Sequence, residues 1–148
     1  MQTSSTFTWV AIGLVILVGP VLFIALWISI AYLLSSVGGW RALGRRYRTD
    51  AVPRGNRVWS ALGGMVGIVR YRGVLNVTRT DDGLYLSVNR LFRMGHPTLF
   101  IPWPEIRNAR RTSMFFWRYI AFDIGEPKIA SMRLPPEVFD GAPVFVEG

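Results

Sequence analysis

The chain has 148 residues, which leaves room for one domain and one hydrophobic segment but not for two full domains. It contains no cysteine, so disulfides, iron–sulfur clusters and thiolate metal sites are excluded. Seventeen basic and nine acidic residues give a net charge of +8, which favours anionic partners.

The first predicted element is an apolar N-terminal helix. No charged residue occurs between Phe7 and Leu34, whereas about 20 residues are enough to cross a hydrocarbon core of about 30 Å. The run is longer than that, so it predicts a tilted or kinked transmembrane helix over residues 7–37, with the kink at Pro20. A cleaved signal peptide is disfavoured, because no basic residue precedes the run and the run is too long.

The flanks of this helix predict its orientation. Arginines cluster after it and no basic residue precedes it. The positive-inside rule therefore predicts a single-pass protein with its N-terminus outside and its C-terminal domain in the cytoplasm. Aromatic side chains tend to lie at both membrane interfaces. The predicted membrane-interface anchors are Trp9, Tyr32, Trp40 and Tyr47.

Residues 38–57 form a predicted basic juxtamembrane segment and linker. A glycine pair at its start ends the first helix, and the spacing of Trp40, Leu43 and Tyr47 then predicts a short amphipathic helix at the headgroup level. Arginines at an anionic surface contribute on the order of 1 kcal/mol each. The predicted lipid or partner contacts in this segment are Arg41, Arg45, Arg46 and Arg48.

Residues 58–141 are predicted to form an antiparallel β-domain, followed by a tail over 142–148. The apolar segment 58–69 is too short to span a membrane. It is interpreted as the first strand of the domain, with an interfacial segment as the alternative. Alternating apolar residues on both sides of an Asp-Gly turn at position 82 predict a β-hairpin with one buried face. The later strand candidates are 98–101, 105–111, 115–124 and 129–134.

The number and spacing of these strands indicate the architecture. Six or seven short strands separated by turn residues are typical of a sandwich or barrel, and closure limits exposed edges. The predicted fold class is a membrane-anchored all-β protein, α+β overall. It consists of one transmembrane helix and a small open antiparallel barrel with a short C-terminal helix at about residues 136–140.

Three segments carry a resemblance to known proteins: GLYLSV at 83–88, GHPTLFIPWPEI at 95–106 and LPPEVF at 134–139. Over about residues 38–141 the chain resembles uncharacterised bacterial single-pass membrane proteins that carry a pleckstrin-homology-like β-domain after the anchor. The resemblance implies a pleckstrin-homology-like open barrel held at the bacterial inner (plasma) membrane. It implies no catalytic residue.

Candidate chemistry is scarce in this chain. His96 is the only histidine, and one histidine without cysteine cannot build a typical zinc site. Motifs of serine hydrolases, phosphate-binding loops and zinc proteases do not occur. We therefore predict that the protein is not an enzyme and uses no metal or cofactor. His96 is interpreted as a loop residue with local hydrogen bonds.

A second basic cluster is predicted in the domain at Arg107, Arg110 and Arg111. If Ile106 faces inward, strand alternation places Arg107 and Arg111 together on the outer side. Such a surface attracts lipid phosphates, nucleic acid or an acidic protein. Nucleic acid is disfavoured because no nucleic-acid-binding motif is present and the domain is held at a membrane. An exposed charged face without a specific ligand is the remaining alternative.

The apolar tract Met114 to Trp117 directly follows this cluster. It is interpreted as the start of a core strand, with a loop tip that inserts into the bilayer as the alternative. Together these features predict a non-catalytic, membrane-anchored interaction module on the cytoplasmic face, which binds anionic lipid or a membrane-protein partner. The alternative function is an accessory subunit of a larger membrane complex.

Overall fold

The computed structural model describes residues 2–51, 53–55 and 57–148, with side chains from residue 5 onward. Two positions of the predicted linker, 52 and 56, therefore lie outside the described residues. Two helices lead into a single sheet of seven strands within this part of the chain. The elements are α1 Gln2–Val37, α2 Trp40–Tyr47, β1 Arg57–Val66, β2 Val69–Arg79, β3 Gly83–Val88, β4 Leu99–Pro102, β5 Ile106–Met114, β6 Trp117–Ile124 and β7 Ala130–Leu134.

The helix α1 is long and apolar enough to cross a membrane. Ser5–Val37 has 33 residues, and its most apolar window has a mean hydropathy of 2.7. None of that window is buried against the rest of the protein, in contrast to the core helix of a soluble protein. Pro20 lies inside this continuous helix.

The seven strands form an antiparallel half-barrel in the order β4-β3-β2-β1-β7-β6-β5. A flat sheet of this size would hold its edge strands about 29 Å apart, at about 4.8 Å per strand. Yet β4 and β5 are joined only by the single turn Trp103–Glu105, and the four steps from Pro102 to Ile106 span at most about 14 Å. The sheet must therefore curl until its two edges approach each other at that turn.

The short helix α2 fills the interior of the half-barrel. Trp40 is 0% exposed, and Leu43 and Tyr47 are buried in the same hydrophobic core as the inward residues of the sheet. The short helix is thus confirmed, but its apolar face packs on protein and not on lipid. The predicted role of Trp40 and Tyr47 as membrane-interface anchors is wrong, because buried side chains have no surface to offer to headgroups.

Most strand predictions are confirmed. The hairpin around the Asp-Gly turn pairs Val77 with Leu86 and Leu75 with Val88, all with buried side chains. The apolar segment 58–69 is a strand and the turn that follows it, not an interfacial segment. The predicted C-terminal helix is reduced to one 3-10 turn, Pro136–Val138.

The tail over 142–148 has more structure than its sequence suggested. Glu147 forms an isolated parallel bridge with Arg110, with backbone hydrogen bonds to Ala109 and Arg111 on either side. The tail therefore covers part of the β5 edge, which would otherwise present unpaired backbone groups.

The prediction for the aromatic tract is wrong. Met114 pairs with Trp117 at the end of the β5–β6 hairpin, so Phe115 and Phe116 form its two-residue loop. Phe116 is 99% exposed, and its two aromatic neighbours are also exposed. A tight turn points its two central side chains away from both strands, so neither of them reaches the core. We call Phe115, Phe116 and Trp117 the aromatic tip.

Candidate functional site

The candidate site lies where α1 meets the β-domain, at a turn that we call the elbow, residues 38–39. Gly39 adopts a left-handed conformation with φ +84°, which glycine accepts without strain. A side chain on Gly38 would lie 3.0 Å from Val69 and 3.1 Å from the carbonyl oxygen of Val66. The elbow is therefore held tightly against the β1–β2 turn, which defines where α1 leaves the domain.

One face of the last turns of α1 packs on the β3–β4 loop, residues 89–98. Ala31 and Ser35 are buried there, and the Ser35 hydroxyl donates a hydrogen bond to the carbonyl oxygen of Gly95. Further up the helix, the rings of Trp27 and Phe92 lie 5.3 Å apart. Positions 27, 31 and 35 recur every four residues and so share one helix face. The loop thus runs alongside α1 for more than two turns.

His96 fastens this loop to the domain. Its Nδ1 lies 3.2 Å from the carbonyl oxygen of Met94, and its Nε2 lies 2.9 Å from the Tyr71 hydroxyl. A carbonyl only accepts, so Nδ1 carries the proton, and the Tyr71 hydroxyl donates to Nε2. The Trp40 indole donates to the carbonyl oxygen of Pro97 at 2.9 Å. Burial lowers the pKa of His96 and raises that of Tyr71, so both groups are held neutral. The predicted local hydrogen bonding of His96 is confirmed.

An arginine-lined cavity of about 520 Å³ opens between α2 and this loop, beside Tyr32 of α1. We call it the elbow pocket. No carboxylate lines it, and its arginine side chains are exposed to solvent. None of them forms an ion pair with any residue that the structure describes. The four arginines of the elbow pocket are Arg41, Arg45, Arg48 and Arg93.

The geometry of α2 explains why its arginines converge there. Arg41 and Arg45 are four residues apart and so share one face of the helix, away from its buried face, and Arg48 follows directly after the last helical residue. Arg41 also places its guanidinium 4.6 Å from the centre of the Tyr32 ring, which holds it against α1. Arg93 comes from the loop, 45 or more positions later in the chain. Sequence reasoning missed it as a contact, because only the packing of the loop on α1 brings it to α2.

Arg46 points elsewhere. Its guanidinium lies 3.5 Å from one oxygen of Glu105, and the Tyr47 hydroxyl donates to the other oxygen at 2.5 Å. Burial, together with this hydrogen bond, raises the pKa of Tyr47 to about 12. Glu105 therefore ties α2 to the turn between β4 and β5, and of the four predicted juxtamembrane contacts only Arg46 lies outside the elbow pocket.

The second predicted cluster does not join this site. Arg107 forms an ion pair with Glu126 at 2.5 Å, whereas Arg110 and Arg111 are exposed on β5. A bulge follows Arg107 in β5. Arg107 pairs with Asp123 and Arg110 with Ala121, and these two partners are two residues apart on β6. Arg111 pairs with Ile120. Paired residues share a face of the sheet. Arg107 and Arg110 therefore lie on one face and Arg111 on the other, contrary to the predicted alternation.

The aromatic tip is also remote from the elbow. The Ile124 end of β6 pairs with Ala130, whose side chain would contact a Cβ on Gly39 at 3.3 Å. The tip lies at the other end of β6, about 24 Å away along the strand at about 3.4 Å per residue.

No protein-family model, curated protein or solved structure matches this chain. The resemblance to bacterial membrane proteins with a pleckstrin-homology-like domain therefore stays a prediction. The geometry of the elbow pocket has to carry the functional interpretation on its own.

Proposed function

We propose that the chain is a non-catalytic, membrane-anchored interaction module that binds anionic phospholipid headgroups in the elbow pocket. The observation that carries this proposal is the convergence of four exposed arginines without any carboxylate in the lining of the pocket. This convergence occurs directly beside the only helix among the described residues that is long and apolar enough to cross a membrane.

The chemistry of arginine supports a phosphate ligand. A guanidinium offers planar, paired donors that match two oxygens of a phosphate. Four like charges that share one small cavity repel each other, so an anion that enters it relieves this repulsion. The lipid-facing location favours a headgroup phosphate as the source of the anion, since α1 would hold the cavity at the bilayer surface continuously.

The side of the membrane is inferred from charge. Arg41, Arg45 and Arg48 follow α1 directly, and no basic residue precedes it in this sequence. The positive-inside rule supports a cytoplasmic location for the β-domain. The resemblance to bacterial single-pass proteins supports the bacterial inner membrane as the membrane concerned.

Lipid retention by the full chain tests the proposal. The protein in mild detergent is mixed with phosphatidylglycerol or phosphatidylcholine, and bound lipid is measured by native mass spectrometry. Two arginines contribute about 2 kcal/mol, so Arg45→Gln with Arg93→Gln is expected to weaken phosphatidylglycerol binding about thirtyfold.

The matched control, Arg110→Gln with Arg111→Gln, removes the same charge from β5 and is expected to leave lipid binding nearly unchanged. An equal loss in both double variants would mean that net charge alone attracts the lipid. Equal retention of phosphatidylcholine and phosphatidylglycerol by the wild-type chain would also overturn the proposal.

The aromatic tip favours a second candidate function, that of an accessory subunit in a larger membrane complex. Three adjacent exposed aromatic residues at the end of a hairpin are typical of a protein contact. A photo-reactive phenylalanine analogue at position 116, in the full chain and in native membranes, is expected to crosslink to one defined protein. The same analogue at Val58 is the control, and identical crosslinks from both positions would argue against this function.

A further inference from the structure

We propose that the β3–β4 loop inserts Leu91 and Met94 into the bilayer beside α1, so that the loop and the helix enter the membrane together. The proposal uses one part of the proposed function, namely that α1 crosses a bilayer. It does not depend on lipid binding in the elbow pocket.

The exposure of the loop is the first observation. Leu91 is 74% exposed and Met94 is 55% exposed, although Phe92 and Gly95 beside them pack on α1. Phe92 contacts Trp27, and a side chain on Gly95 would lie 3.0 Å from the Tyr32 ring. The loop is thus tied to α1 on one side and presents large apolar side chains on the other. Scattered exposed apolar residues are ordinary, but these two extend the apolar surface of a membrane helix.

The length of α1 is the second observation. The uncharged run from Phe7 to Leu34 has 28 residues and extends about 42 Å at about 1.5 Å per residue. A hydrocarbon core of about 30 Å would hold all of it only at a tilt of about 45°, beyond the usual range of about 0–40°. Part of the run must therefore lie outside the hydrocarbon.

The packing of α1 shows which part that is. The turns from Trp27 to Val37 contact the domain, whereas the preceding turns are exposed. The distance along the helix from Trp9 to Trp27 is about 27 Å at about 1.5 Å per residue, which matches one hydrocarbon thickness between two aromatic belts. Trp27 then marks the inner boundary of the hydrocarbon, and Tyr32 lies below it among the headgroups.

The depth of the β3–β4 loop relative to the bilayer follows from its contact with α1. Phe92 contacts Trp27, so Leu91 lies close to the level where the hydrocarbon ends, and Met94 lies between that level and Tyr32, on which the next residue, Gly95, packs. Arg90 directly precedes Leu91 and Arg93 directly precedes Met94, and this mixture of basic and apolar side chains suits the interface.

A second loop also carries an exposed apolar residue, but at a different depth. Ile68 in the β1–β2 turn is 76% exposed, and this turn packs against the elbow through Gly67 and Gly38. Exposed apolar residues of the domain therefore occur on both loops that contact the C-terminal end of α1. Gly38 lies 11 positions after Trp27, about 16 Å farther along the helix at about 1.5 Å per residue, so the β1–β2 turn lies below the hydrocarbon and the β3–β4 loop alone is expected to insert.

The natural absence of cysteine makes a depth measurement direct. The single variants Leu91→Cys, Met94→Cys and Val58→Cys carry a nitroxide label in the full chain, which is reconstituted in vesicles of phosphatidylcholine and phosphatidylglycerol. Val58 is an exposed apolar residue at the opposite end of β1 and serves as the control.

Electron paramagnetic resonance then compares collisions with oxygen, which is enriched in the bilayer, and with a water-soluble nickel complex. Labels at positions 91 and 94 are expected to lose most of their nickel collisions and to gain oxygen collisions relative to position 58. Equal nickel access at all three positions would overturn the insertion. That result would leave the arginine-dependent lipid retention intact, so the two proposals fail separately.

Discussion

His96 connects three parts of the protein through one imidazole ring. Both ring nitrogens are used, by Met94 in the loop and by Tyr71 in β2, and the ring lies 5.3 Å from that of Trp40 in α2. No polar side-chain atom in the buried, described part of the chain lacks a hydrogen-bond partner. Protonation of His96 would turn Nε2 into a donor and force the Tyr71 hydroxyl to reorient.

This geometry predicts a pH dependence of stability. Burial lowers the pKa of His96 in the folded protein, whereas an unfolded histidine titrates near about 6.5. The unfolded chain therefore binds the proton more readily, and stability present above about pH 6.5 is lost as the pH falls towards the lowered folded value. Thermal unfolding of the detergent-solubilised chain from pH 8 to pH 5 measures this loss.

The variant His96→Gln isolates the contribution of the ring. It carries no titrating group at this position, and the chain has no other histidine. We expect its melting temperature to change less between pH 8 and pH 5 than that of the wild type. Parallel pH profiles for both proteins would refute the role assigned to His96.

Trp40 is the largest fully buried side chain of α2, so its truncation is expected to cause a large loss of stability. Trp40→Ala removes a buried ring and leaves the Pro97 carbonyl without its donor. We expect a decrease of about 3–5 kcal/mol in the free energy of unfolding, measured by denaturant titration with circular dichroism of the sheet.

Arg45→Ala on the exposed face of the same helix is the matched control, with an expected change within about 0.5 kcal/mol. If Trp40→Ala cost no more than this control, α2 would not be part of the domain core.

At the scale of the element, α2 shows what an amphipathic pattern can and cannot tell. The spacing of Trp40, Leu43 and Tyr47 correctly predicted a helix with one apolar face. The same face satisfies a lipid surface and the interior of a half-barrel equally well, since both are apolar. The tertiary structure distinguishes these two environments, because the sheet curves around an open interior beside the elbow and α2 packs in that interior.

The β5–β6 hairpin shows the opposite error, because its apolar tract is not buried at all. Phe116→Ser at the aromatic tip is expected to change the free energy of unfolding by less than about 0.5 kcal/mol. Phe122→Ala, in the buried part of β6, is expected to cost about 3–5 kcal/mol.

Both variants of this hairpin are compared with the wild type by thermal unfolding in the same detergent. A marked loss in Phe116→Ser would show that the tip packs against the protein in solution. A neutral result leaves the tip available for an external partner.

At the scale of the whole molecule, the half-barrel, α2 and the end of α1 depend on one another. The sheet alone would expose an apolar interior, α2 covers it, and the two loops at the elbow hold α1. A shortened protein that begins after Tyr47 would lack α2, whose apolar side chains fill the interior of the half-barrel. Experiments on lipid binding therefore need the chain with α2, and preferably with α1.

Local sequence patterns were sufficient to predict α1, the β2–β3 hairpin and the elbow. Charge-free length marks α1, period-two alternation marks the hairpin at Asp82, and glycine at 38 and 39 marks the elbow, because each depends on neighbours in sequence. Three of the four elbow-pocket arginines also lie on one predicted helix face. The bulge at Asn108, with φ +53°, could not be predicted from the spacing of residues. It places Arg111 on the face of the sheet opposite to the predicted one.

The sequence by itself determined which segments are helices and strands and which of their faces are apolar. The reason is that the spacing of apolar residues depends only on neighbours in sequence, and turn residues mark where each element ends. Tertiary structure decided what covers each face. It buried Trp40 and Tyr47, exposed Phe116, and carried Arg93 to α2 through contacts of residues far apart in sequence. Such contacts depend on how the sheet curls and where α1 leaves it, and no local spacing encodes either.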